Sequence, residues 1–70
     1  MNRLPTLITD LKKYRVEANM SQDELANLVG VRRETIVHLE AGKYNPSLKI
    51  AYDIAKVFNV AIEDIFKFVD

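Results

Sequence analysis

Seventy residues with no cysteine form one small domain whose stability no disulfide or cysteine-zinc site supplements, so helix packing or association has to provide it. An apolar content of 49% excludes disorder, and the lack of any apolar run near ~18 residues excludes a membrane-spanning segment. Ten basic and ten acidic residues leave a formal net charge of zero, which excludes an indiscriminate polyanion binder but not a local charged patch. The opening stretch MNRLPTLITDLKKY lacks the long apolar block of a secretion signal, so a soluble, cytoplasmic protein is expected.

In chain order, Leu4, Leu7, Ile8, Leu11, Arg15 and Ala18 recur at spacings of three and four, which predicts a first helix over about 6–18. Asn19 suits the left-handed position beyond its end. The second helix, about 22–29, has the strongest start signal. Ser21 and Glu24 form the capping box SQDE, and Met20 can pack on Leu25 as a hydrophobic staple. The same apolar spacing of five recurs at Val31 and Ile36 and at Val60 and Ile65, marking starts near Arg32 and Ala61 whose cap residues are poor ones. Pro46 and Ser47 mark another start, so further helices are expected over about 33–41, 48–58 and 62–67. The expected core comprises Leu25, Ala26, Leu28, Val29, Val31, Ile36, Leu39, Leu48, Ala51, Ile54, Ala55, Phe58, Val60, Ile62, Ile65 and Phe66.

Only Gly30, Val31 and Arg32 join the second and third helices. So short a connection, starting with a residue that tolerates positive φ, forces a sharp crossing. With small Ala26 at the crossing and Val31, Ile36 and Leu39 as inward anchors, residues 22–41 have the pattern of a helix-turn-helix. The outer face of the third helix then carries Arg33, Glu34, Val37 and His38, with Arg32 and Thr35 at its start. Two arginines at a helix N-terminus oppose the dipole by a few tenths of a kcal/mol to about 1 kcal/mol. They make sense if a polyanion neutralises them, and in this motif that end of the second helix of the pair enters the major groove of DNA. Arg33 is suited to guanine O6 and N7, and Glu34 to cytosine N4.

The segment SQDELANLVGVRRETIVHLEAGKYNPSLKIAYDIAKVFNVAIEDIF resembles the Xre-type, lambda-repressor-like helix-turn-helix regulators, particularly the small stand-alone members with GKYNPSL. A short two-stranded β element joining the termini is an optional addition read from the apolar tail, and the resemblance, which spans about residues 11–66, implies an all-α, five-helix DNA-binding fold. It implies a cytoplasmic, nucleoid-associated homodimer that represses transcription from a pseudo-palindromic operator. Residue by residue, it implies that Gln22 holds a phosphate and that Arg33, Glu34 and His38 read base edges. Arg32 and Thr35 would touch the groove edge or phosphates, Lys43 would grip the next phosphates, and Arg15 would pair with Glu40. Tyr44 is left between packing on the third helix and a phosphate contact. Arg32, Glu34, Val37, Ala41 and Ala61 depart from the usual family residues and leave the operator open.

VAIEDIFKFVD holds seven apolar residues in eleven, more than a small helical core requires. Residues 60–70, with Ile62, Phe66, Phe68 and Val69, are read as a dimer interface, against the plainer alternative of a strand folding back beside Met1 to Leu4. Residues 1–45 carry seven basic against six acidic side chains and residues 46–70 three against four, so the third helix lies in the less acidic part. An enzyme is not expected: His38 is the lone histidine and no triad or metal spacing occurs, so no metal or cofactor is anticipated. The rival is a protein-interaction module, such as an antitoxin-like partner on the same fold, which Glu34 and the neutral charge favour slightly. A regulatory protein partner is left open and unidentified.

Overall fold

The protein is described here from a computed structural model covering residues 6–69. Its five helices are α1 (Leu11–Glu17), α2 (Gln22–Val29), α3 (Arg33–Glu40), α4 (Leu48–Phe58) and α5 (Ile62–Ile65). Each sends at least one fully buried side chain into a common core: Leu11 from α1, Leu25 from α2, Ile36 and Leu39 from α3, Ile54 from α4 and Ile65 from α5. At about 1.5–3 kcal/mol for each buried Leu or Ile, this shared cluster is the main favourable contribution to folding. Ala26, Ala51 and Ala55 are buried beside it, where small side chains let the helices approach closely. Tyr14 and Phe58 meet with ring centroids 5.8 Å apart, joining α1 to α4.

The caps follow from the residues. The Ser21 hydroxyl accepts from the Glu24 N–H at 3.0 Å, and Glu24 Oε1 accepts from the Ser21 N–H at 2.9 Å, forming the full capping box. Ser47 accepts from the Ile50 N–H at 3.2 Å at the start of α4. Ala61 has no side-chain acceptor, but its own N–H donates to Asp64 Oδ2 at 3.0 Å, so half of a box survives there. Arg32 gives α3 no side-chain cap. Gly30, at φ 71°, ends α2 in a left-handed turn in which the Val31 N–H reaches the Ala26 carbonyl at 3.0 Å. Gly42 does the same after α3 at φ 69°, and the Lys43 N–H reaches the His38 carbonyl at 3.1 Å.

Several expectations need correction. Thr6–Thr9 is a strand, β1, and not the first turns of a helix; α1 begins only at Leu11. The β-branched run Thr6, Ile8 and Thr9 pairs antiparallel with a second strand, β2 (Phe66–Val69), in the register Thr6↔Val69, Leu7↔Phe68, Ile8↔Lys67 and Thr9↔Phe66. The tail therefore folds back on residues 6–9, whereas the expected partner Met1 to Leu4 lies outside the described residues. The last helix stops at Ile65, and α3 at Glu40 with Ala41 as its cap. Leu28 and Leu48, expected in the core, are 61% and 79% exposed because each lies on the outward side of its helix. Phe66, expected both in the core and in a dimer interface, is only 6% exposed and completes the protein's own core. The Asp10 N–H donates to the Ile65 carbonyl at 2.8 Å, fastening the start of α1 to the end of α5 beside the ribbon.

One polar cluster crosses this apolar arrangement. Arg15 Nε donates to Glu40 Oε2 at 2.5 Å and Nη2 to Glu40 Oε1 at 3.2 Å, a two-pronged pair joining α1 to α3. Arg15 Nη1 also donates to the Met20 carbonyl at 2.8 Å, and Gln22 Nε2 to Glu40 Oε1 at 3.1 Å. Side-chain exposures of 12% for Arg15 and 6% for Glu40 leave little solvent to screen the pair. The hydrogen bond that Arg15 donates to Glu40 raises the Arg15 pKa above its ordinary value, overcoming the opposing effect of burial.

Removing one partner strands the other charge out of water, so Glu40→Ala is expected to cost on the order of 3 kcal/mol in chemical denaturation. Lys49→Ala, which breaks the exposed Lys49–Asp53 pair of α4, is expected to change stability by less than about 1 kcal/mol in the same measurement. The capping box adds a pH dependence. The Ser21 backbone N–H, and then its hydroxyl, hold the Glu24 carboxyl below its ordinary pKa. A depressed folded-state pKa contributes stability above the unfolded value, and this is lost as the pH falls through the depressed one. Thermal melts between about pH 5 and 3 should therefore show a steeper acid loss for the native sequence than for Glu24→Gln.

Candidate nucleic-acid interface

The third helix divides sharply into two faces. Ile36 and Leu39 are fully buried, whereas Arg33, Glu34, Val37 and His38 are exposed on the opposite side. The two-residue connection after Gly30 keeps Arg32 exposed immediately before the helix, and Thr35 is half-buried where α3 turns towards α2. Among the described residues, neither Arg32, Arg33 nor Glu34 takes part in an ion pair, so the basic tip of α3 is not neutralised by its own fold. With Arg32 supplying no side-chain cap, the first N–H groups of α3 also lack a side-chain acceptor.

Beside this tip lies an open polar cleft of about 360 Å³ lined by Lys12, Arg15, Ser21, Gln22, Asp23 and Arg33. It lies where the first turn of α1, the start of α2 and the tip of α3 converge. The hydrogen bond from Gln22 to Glu40 fixes that side chain at the cleft wall, and Arg15, which donates to the same carboxylate, lines the cleft too. Lys12, not among the residues singled out from the sequence, lines the cleft as well. The available signal was its position three residues before Arg15, on the same side of α1. Lys43 and Tyr44 are exposed on the loop after α3, where Gly42 turns the chain; a Cβ at Gly42 would stand 3.5 Å from the Leu7 carbonyl oxygen.

The residues read as a dimer interface lie elsewhere and do not behave alike. Phe68 and Val69 are exposed, Ile62 is half-buried, and Phe66 is covered. Ile62, Phe66 and Phe68 line an apolar groove of about 390 Å³ together with Leu7, Pro46, Leu48, Ala51 and Glu63. Val69 falls outside that lining, on the side of the ribbon shared with Thr6, Ile8 and Lys67. Leu7 and Leu48 were not singled out for this role because their partners in the groove are distant in sequence. No group of acidic residues and histidine that could hold a metal ion occurs among the described residues, and none of their helices is long and apolar enough to cross a membrane.

A helix-turn-helix family model matches residues 11–65. An uncharacterized HTH-type transcriptional regulator of Archaeoglobus fulgidus is 68% identical over 60 residues, covering 86% of this chain and 84% of that protein. The cryptic phage CTXphi transcriptional repressor RstR of Vibrio cholerae is 33% identical over 55 residues, which are 79% of this chain and 50% of that protein. The crystal structure of the restriction-modification controller protein C.AhdI from Aeromonas hydrophila superposes with a TM-score of 0.71 at 28% identity, covering 77% of this chain and 82% of that one. With Gly30 at the turn and both faces of α3 assigned, the chain belongs to the helix-turn-helix family and is a transcriptional regulator with an HTH DNA-binding fold, not an enzyme.

Proposed function

We propose that the protein is a cytoplasmic repressor that binds a pseudo-palindromic operator as a homodimer, inserting α3 of each protomer into the major groove. The observation that carries this is the division of α3 between a fully buried anchor, Ile36 and Leu39, and an exposed tip bearing Arg33, Glu34 and His38. Arg33 reads a guanine edge and Glu34 accepts from an exocyclic amine. Gln22, Arg32 and Thr35 contact phosphates along one flank of the groove, and Lys43 and Tyr44 along the other. The name of the Vibrio cholerae relative, a transcriptional repressor, favours repression over activation.

The dimer is supported by the apolar groove, where Leu48 and Phe68 are 79% and 57% exposed in the isolated protomer. Such side chains are well suited to a twofold contact, which would set the two recognition helices ~34 Å apart, one turn of duplex. Zero formal net charge means that only local cations contact the phosphates, so affinity is moderate and falls as salt rises.

Selection of bound duplexes from a random DNA pool is expected to return a site with two inverted half-sites; a pool left unenriched even at low salt would refute DNA binding. On the selected duplex, Arg33→Ala should lose about 1–3 kcal/mol of binding while its circular dichroism and melting temperature stay unchanged. Equal binding by the variant would remove Arg33 from the readout. Phe68→Asp should shift sedimentation from dimer to monomer and weaken operator binding, and an unchanged dimer would place the interface elsewhere.

A further inference from the structure

We propose that Val37 is a specificity residue that reads the 5-methyl group of a pyrimidine in the major groove. The inference rests on the DNA-binding function proposed above and adds what one position of the site recognises. Val37 is 38% exposed on the outer side of α3, bordered by Arg33 and Glu34 one turn earlier, His38 beside it and Ala41 one turn later. Residues three and four apart on a helix are neighbours, with Cβ atoms about 5–6 Å apart, so Val37 shares one patch with both charged side chains. It is not needed as an anchor, because Ile36 and Leu39 already fasten α3 to the core. It is also absent from the half-buried side chains packed against that core.

An isopropyl group pressed on a base edge discriminates by what it fails to offer. The major-groove edges of guanine, adenine and unmethylated cytosine present polar groups that Val37 can neither donate to nor accept from. Covering them would cost water contacts that valine does not replace. The apolar group in that groove is the methyl on C5 of a pyrimidine, carried by thymine and by 5-methylcytosine. Burying it against Val37 removes apolar surface from water on both sides. Valine is also stiff at χ1 within a helix, so little rotamer entropy is lost when the contact forms. Glu34, three residues earlier, supplies an acceptor for an exocyclic amine. That amine and the 5-methyl are adjacent substituents on 5-methylcytosine, and belong to neighbouring bases when the methyl is thymine's.

The test uses the full-length protein and a duplex selected from the random pool. Each thymine is replaced singly by uracil and, in a second arm, each cytosine by 5-methylcytosine. At one position per half-site, uracil is expected to weaken binding, or 5-methylcytosine to tighten it, by about three- to tenfold. The first outcome identifies thymine as the source of the methyl and the second identifies 5-methylcytosine. Val37→Ala, at an exposed position and folded by circular dichroism, should bind the methylated and unmethylated forms within about twofold of each other. Native protein that holds the selected duplex yet ignores every methyl change would overturn the role of Val37 and leave DNA binding intact. Full methyl dependence in Val37→Ala would likewise assign the readout to another residue. If no duplex is selected at all, the DNA-binding function fails, and this inference with it.

Discussion

The pairing of Arg15 with Glu40 decides where α3 lies. A hydrophobic core constrains how deeply a helix sits, but a core of Leu and Ile tolerates small rotations and slides when its volume is kept. A two-pronged guanidinium–carboxylate pair does not, because its two hydrogen bonds must stay near-linear and coplanar. Here that pair joins α1 to the last turn of α3, and Glu40 also accepts from Gln22 at the start of α2. Three helices are thereby indexed to one carboxylate. Its worth lies more in fixing this geometry than in net stability, since a buried pair recovers little beyond its own desolvation.

From that fixed point the arrangement of the tip follows. Gly30 turns the chain within two residues, Ile36 and Leu39 hold the inner side of α3, and Arg32, Arg33 and Glu34 are carried outward without partners among the described residues. The chain as a whole is neutral, so its basic character is a matter of placement. Many of its acids are engaged: Glu24 in a cap, Asp64 in a half-cap, Asp53 with Lys49, and Glu40 with Arg15. Arg33 and Lys43 remain exposed on the side of α3 that the core leaves open.

Legibility in the sequence tracked how local each interaction is. The capping box at Ser21 and Glu24, the left-handed turn at Gly30 and the anchors of α3 depend on residues within a few positions of one another, and the sequence displays them directly. The resemblance added what spacing could not: a partner for Arg15 twenty-five residues away. The strand β1 was misread because Leu7 and Leu11 fit a helical stripe as well as they fit the end of a strand and the start of a helix. What decides is Phe66–Val69, at the other end of the chain. Leu28 and Leu48 were misplaced for a related reason, since an apolar residue on a short helix can face outward and only the neighbouring elements determine which side is covered. On the candidate interface, the exposed residues of α3 followed from its anchors, whereas the part played by Lys12 required the arrival of α2 and α3 beside α1.

The non-local ribbon then bears on the site that the local signals build. Its strand β1 runs into α1 through Asp10, whose N–H is held by the Ile65 carbonyl, and its Leu7 carbonyl lies over Gly42, the residue that ends α3. The loop from Ala41 to Ser47 consequently has two neighbours. Lys43 and Tyr44 are exposed in it, while Pro46 enters the wall of the apolar groove beside Leu7 and Leu48. In the proposed dimer, Leu48 and Phe68 would be buried beside Pro46, while Lys43, three residues before that proline, would reach a phosphate, so the two contacts lie at opposite ends of one short loop. Burying the groove around Pro46 would hold one end of the loop whose other end meets the DNA, a physical route by which dimerisation favours operator binding without any change in the conformation of α3.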